Sequence, residues 1–138
     1  MTCVTELKYI SPIVNYKSYM AFLPAVLVAA GIAILSLWEN PHVPEAMAVN
    51  DKVAHLLMYA VLAVSLMAAL VYIRRSSIFI FSSTWAVVTA YGALMEMLQR
   101  FCTLSRSGEM ADLYADALGA LIGILLVFIW HHLSTTSR

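Results

Sequence analysis

Four long apolar stretches, Met20 to Trp38, Val53 to Ile73, Ile78 to Leu98 and Leu113 to Leu133, dominate this chain of 138 residues. Each comes close to the roughly 20 residues that an α-helix needs to cross about 30 Å of hydrocarbon. A backbone in lipid has to satisfy its own hydrogen bonds, which makes the helix the form such stretches take. The chain is 62% hydrophobic and 12% charged, more apolar side chain than one small soluble core can hide. The expected fold is all-α, an integral membrane four-helix bundle. Along the chain it divides into an interfacial N-terminal segment over 1–19, a transmembrane domain over 20–133 and a short tail over 134–138, with helices at about 20–38, 53–73, 78–98 and 113–133. No compact basic leader precedes the first stretch, so it reads as a retained span and not as a cleaved signal.

Formal net charge is zero, yet the charges are unevenly placed. Lys8, Lys17, Arg74, Arg75 and Arg138 fall in the N-terminal segment, the second loop and the tail, with Glu6 as their one acidic neighbour. Basic loops stay on the cytoplasmic side, so both termini are expected there. The remaining acids, Glu39, Glu45, Asp51, Glu96, Glu109, Asp112 and Asp116, gather with Lys52, Arg100 and Arg106 in or beside loops one and three. Those loops are expected outside. The balance has none of the basic excess that a nucleic-acid partner requires. Cys3 and Cys102 are expected on opposite membrane sides, and without a CxxC they give no thiolate metal site.

An ionisable side chain inside a span costs about 2.5 to 3.5 kcal/mol at mid-helix and less near the interface, and such costs point to function. In the second span Asp51, His55 and Tyr59 recur every four residues and so line one helix face. Asp51 has a second reading as a helix-start charge facing the positive end of the dipole. His55 lies just inside the apolar run, either as a satisfied structural histidine or as an acid–base group that titrates near neutrality. In the third span Gly92, Glu96 and Arg100 share a face beside Gln99. Glu96 and Arg100 could form a plain i, i+4 ion pair; otherwise Glu96 is a candidate acid or base. In the fourth span Asp112 and Asp116 stand one turn apart, with Gly119 and Gly123 continuing the same side. The glycines form a small-xxx-small pattern that lets helices approach closely. Glu39, Glu45 and Glu109 read as ordinary loop charges.

Taken in order, Asp51-Lys52-x-x-His55-x-x-x-Tyr59-x-x-Leu62, then Tyr91-Gly92-x-x-x-Glu96-x-x-Gln99, then Arg106 with Asp112-x-x-x-Asp116-x-x-Gly119-Ala120-x-x-Gly123, the chain resembles the VanZ-like family of small bacterial membrane proteins. The resemblance runs from about Asp51 to Gly123. It implies a four-helix domain of the bacterial cytoplasmic membrane, in a family whose namesake is associated with teicoplanin resistance. It also implies action on a lipid head group or a lipid-linked envelope precursor at the outer leaflet. On that basis His55, Glu96, Asp112 and Asp116 are the candidate catalytic residues, and Asp51, Lys52, Tyr59, Gln99 and Arg106 the candidate substrate-binding ones. Arg106 and Lys52 would hold phosphate oxygens through charge-assisted hydrogen bonds, while Asp112 and Asp116 would orient His55 or hold a divalent cation, Mg²⁺ or Mn²⁺.

Two functions stay open at this point. One is a head-group hydrolase or transferase; the other is a non-catalytic binder or glycopeptide-resistance factor that uses the same residues without moving a proton. A scaffold or transport role is disfavoured, because helix glue needs fewer ionisable groups and no repeat signature is present. Substrate, metal dependence and oligomeric state are not legible in the residues.

Overall fold

A computed structural model of the protein describes residues 16–38, 48–73, 78–103 and 109–136. They form four α-helices, α1 (Tyr16–Leu37), α2 (Ala48–Ile73), α3 (Ile78–Cys102) and α4 (Met110–Thr136). Each holds a stretch of 20 to 25 residues apolar enough to cross a membrane. At 1.5 Å rise per residue, the shortest of these covers about 30 Å.

All four helices run further than their apolar stretches. α1 starts at Tyr16 and not Met20, α2 starts at Ala48 and not Val53, α3 ends at Cys102 and not Leu98, and α4 runs from Met110 to Thr136 and not from Leu113 to Leu133. Hydropathy marks where a helix meets lipid, whereas the backbone stays helical past that point. The added turns carry Asp51, Lys52, Gln99, Arg100 and Asp112. Asp51 and Asp112 lie in the first turns of α2 and α4, where the helix dipole favours a carboxylate.

The interior is more polar than the exterior. Ser36, His55, Thr84, Glu96, Gln99, Asp112 and Asp116 are buried, while Leu23, Leu27, Ile34, Leu57, Phe79, Leu118, Leu126 and Trp130 are exposed. In water that distribution would leave an apolar surface far larger than a soluble monomer tolerates. With lipid as solvent it is the arrangement expected, because helix association there relies on close packing and interhelical hydrogen bonds.

The most extensive packing is between α2 and α4; α1 and α4 each touch α2 and α3, and among the described residues they do not touch one another. α1 and α4 therefore flank the α2–α3 pair on opposite sides. A core of Ala25, Ile32, Tyr59, Leu62, Ala63, Val88, Met95, Ala120 and Ile124 runs between them. The small-xxx-small pattern explains the α2–α4 seam. A Cβ at Gly119 would run into the backbone carbonyl of Leu56, and one at Gly123 into that of Ala60. α4 therefore packs on the backbone of α2 with no side chain between them at those two points.

Candidate functional site

The close seam brings the start of α4 against the start of α2, and there the ionisable residues meet. His55 Nδ1 lies 2.9 Å from Asp116 Oδ1, the distance of a hydrogen bond in which the ring N–H donates to the carboxylate. Both side chains are buried, at 3% and 0% exposure. Glu96 reaches in from α3, its Oε1 3.8 Å from the same His55 nitrogen. The other oxygen, Oε2, accepts from the backbone N–H of Glu109 at 3.0 Å. Gly92, one turn before Glu96, makes room for this meeting: a Cβ there would stand 2.6 Å from Asp116 Oδ2.

Beside this centre a lysine is held by two carboxylates. Lys52 Nζ donates to Glu109 Oε2 and to Asp112 Oδ1, both at 3.1 Å. Asp51, His55 and Asp112 also bring ligand-type atoms within 4.8 Å of one another. Tyr59 is fully buried one turn below His55 and stacks on it, with ring centroids 6.2 Å apart and planes 9° from parallel. Among the described residues, Tyr59 Oη, Glu96 Oε1 and Asp116 Oδ2 are buried and have no hydrogen-bond partner. Two carboxylate oxygens left that way inside a protein are costly, since a lone buried acceptor loses its full hydration.

The α2 stripe of Asp51, His55 and Tyr59 converges with Glu96, Asp112 and Asp116 in one region. Gln99 faces elsewhere: its Nε2 donates to the Ser36 carbonyl at 3.1 Å and fastens α3 to α1. Glu96 turns into the cluster and not towards Arg100, which is exposed. Lys52 is paired with two carboxylates, so an anionic group reaching it meets competition. Arg106 lies outside the described residues, as do Glu39, Glu45, Arg74, Arg75 and residues 1–15.

Sequence reasoning missed Glu109. It stands immediately before α4, and its carbonyl accepts from the N–H groups of Asp112 and Leu113 at 3.1 and 3.4 Å. A residue in that starting position is held by the helix and is no longer a free loop charge. The signal would have been a helix start at Met110, which hydropathy placed three residues late.

Further into the bundle, α1, α2 and α3 leave an apolar groove of about 210 Å³, lined among others by Phe22, Ala29, Leu62, Leu66, Val88 and Tyr91. Leu62 follows His55 by seven positions and Tyr91 precedes Glu96 by five, which puts the groove about 7 to 10 Å deeper than the cluster at 1.5 Å per residue.

Comparison with curated proteins and with solved structures gives no match. The model of the family described as VanZ/LLP1 matches residues 12–131. That match takes in α1, α2, α3 and α4 up to residue 131, with every residue of the buried cluster, and with it the chain is assigned to the VanZ/LLP1 family.

Proposed function

We propose that this protein acts on the head group of a membrane lipid or of a lipid-linked envelope precursor. It would do so at the outer leaflet of the bacterial cytoplasmic membrane, with both termini in the cytoplasm and loops one and three outside. The observation that carries the reading is the buried meeting of one imidazole with two carboxylates, His55 with Asp116 at 2.9 Å and Glu96 at 3.8 Å, at one end of three spans. Helix packing alone does not require three ionisable groups in one place.

In this reading Asp116 fixes the imidazole through Nδ1 and stabilises its charged form, so that Nε2 is the nitrogen offered for proton transfer. His55 or Glu96 takes the proton from an attacking water or alcohol and returns one to the leaving oxygen. Hydrolysis and transfer use the same groups, and the donor set selects neither. The apolar groove between α1, α2 and α3, whose Leu62 and Tyr91 lie one to two helix turns deeper than His55 and Glu96, supports a lipid over a soluble substrate. Lys52 would have to exchange Glu109 or Asp112 for a phosphate oxygen, and Arg106 would assist it.

A second reading has its own support. Glu96 Oε1 and Asp116 Oδ2 are buried acceptors without a partner, and they suit a hydroxyl or ammonium donor on a bound ligand. That reading needs no acid or base.

The test is to incubate the full chain, purified in detergent, with native lipid extract and lipid-linked precursors, and to compare products by mass spectrometry. One lipid class is expected to change its head group, and His55→Gln and Asp116→Asn are expected to slow that change about 100-fold or more. Ligand co-purifying equally with wild type and both variants, with no product from any, would favour the binder. Neither product nor ligand from the wild type would defeat both readings.

A further inference from the structure

We propose that His55, Glu96 and Asp116 form a binding site for a divalent transition cation of the Mn²⁺ or Zn²⁺ kind. The inference goes beyond the head-group reading and does not depend on it. One ligand atom from each of the three side chains lies within 4.8 Å of those of the other two. The separations from His55 Nδ1 are 2.9 Å to Asp116 Oδ1 and 3.8 Å to Glu96 Oε1. A cation bonded to nitrogen and oxygen at about 2.0 to 2.2 Å holds neighbouring ligands roughly 3 to 3.5 Å apart. Relative to His55 Nδ1, Glu96 Oε1 has to close by a few tenths of an ångström and Asp116 Oδ1 to open by about as much.

A cluster of acids is not by itself a site; the second observation is what those acids lack. Asp116 is fully buried and its Oδ2 has no partner, and Glu96, 10% exposed at the side chain, turns its unpartnered Oε1 towards His55. Among the described residues no Lys or Arg pairs with either carboxylate, because Lys52 is held by Glu109 and Asp112. A cation neutralises both charges and gives the orphan oxygen of Glu96 a partner in one step. Asp51 and Asp112 form a second grouping with His55. Asp112 already has Lys52 as its counter-charge, so the deeper set is the one that calls for an ion.

The donor set decides the kind of ion. An imidazole nitrogen with two carboxylates suits Mn²⁺ or Zn²⁺, whereas Mg²⁺ prefers oxygen ligands and keeps several waters. Three protein ligands leave coordination positions open. Seating the ion requires Nδ1 without its hydrogen, so the His55–Asp116 hydrogen bond gives way to shared coordination and a proton is released.

The full chain in detergent is washed with chelator and titrated separately with MnCl₂ and ZnCl₂. Bound metal is counted by elemental mass spectrometry after desalting, and the Mn²⁺ form is examined by pulsed electron paramagnetic resonance. Expected are about one ion per chain and an imidazole nitrogen coupling to Mn²⁺. Glu96→Gln and Asp116→Asn are expected to lower affinity about 10-fold or more, with helix content by circular dichroism equal to wild type. Should Asp116→Asn not fold, Glu96→Gln carries the same test from the more open side of the cluster. Less than about 0.1 ion per wild-type chain, or equal uptake by both variants, would overturn the site. One bound ion in a protein that changes no lipid upholds the site and defeats the head-group enzyme. Lipid turnover by chelator-washed protein that takes up no ion does the reverse.

Discussion

The seam between α2 and α4 and the seating of α1 are built by different means. Along the first, Gly119 and Gly123 lie against the backbone carbonyls of Leu56 and Ala60, and the charged cluster sits at its end. Along the second, the bonds to α3 are long side chains reaching over to carbonyls: Tyr91 Oη donates to Ala29 at 2.6 Å and Gln99 Nε2 to Ser36 at 3.1 Å. The groove lies on that side too. Backbone-to-backbone packing fixes a distance, whereas a side-chain bridge tolerates a range of distances. His55 and Asp116, at 2.9 Å, are held from the first kind of seam. Under the proposed function, α1 is the wall that an incoming chain would displace.

The largest effects are expected from breaking the rigid seam. Gly119→Leu drives a side chain into the Leu56 carbonyl, and a backbone atom cannot rotate aside. A loss of about 2 to 3 kcal/mol or more is expected in thermal melts in detergent, with the proposed head-group activity lost along with it. A variant that melts like wild type would show that the two helices are not in backbone contact. Next comes Asp116→Asn, which keeps the shape of the side chain and removes its charge. Activity is expected to fall by about 10² to 10⁴, with a much smaller change in melting. If melting fell and activity held, the cluster would be helix glue and the distinction between the two seams would lose its functional meaning.

How much of this was legible in the residues follows from what periodicity encodes. Apolar runs of about 20 residues set the four spans directly. A repeat of four put Asp51, His55 and Tyr59 on one face, as it did Gly92 with Glu96 and Asp112 with Asp116. Periodicity tells which side of a helix a residue is on, not what it touches. Gln99 and Glu96 sit on neighbouring faces of α3, yet one turns to α1 and the other to His55. That division depends on where α1 docks, which no local pattern states. Glu109 was hidden because the helix start was read from hydropathy, and Lys52 looked free because its partners lie 57 and 60 positions away. Arg106 was singled out by motif alone, and it lies outside the described residues.

Smaller effects are expected from loosening α1. Tyr91→Phe removes the hydrogen bond to Ala29 and leaves the ring in place. Interhelical hydrogen bonds in membranes average about 0.6 kcal/mol, with a maximum near 1.7, so a loss in that range is expected by denaturant or thermal titration. Gln99→Leu is expected to lose a similar amount. The two positions lie about 12 Å apart along α3 at 1.5 Å per residue, so their effects should add to within about 0.5 kcal/mol. Strong coupling between them would mean that α1 docks as one rigid unit, and the comparison would then have to be redrawn with two firm seams.

A change of sign sharpens the contrast most directly, because one kind of substitution is made in both places. At Gly119 even an alanine methyl meets the Leu56 backbone; at Gly31 in α1, a Cβ would meet nothing within 4 Å. Gly31→Ala therefore adds no clash, and it removes backbone freedom that glycine otherwise loses on forming a helix. A gain of about 0.5 to 1 kcal/mol is expected in detergent melts, with Gly119→Ala moving the opposite way. Opposite signs from the same change would show that α2 and α4 touch at the backbone while this stretch of α1 faces open space. A destabilised Gly31→Ala would instead reveal a packing partner on that face of α1, such as a second copy of the chain, and α1 could no longer be the yielding wall.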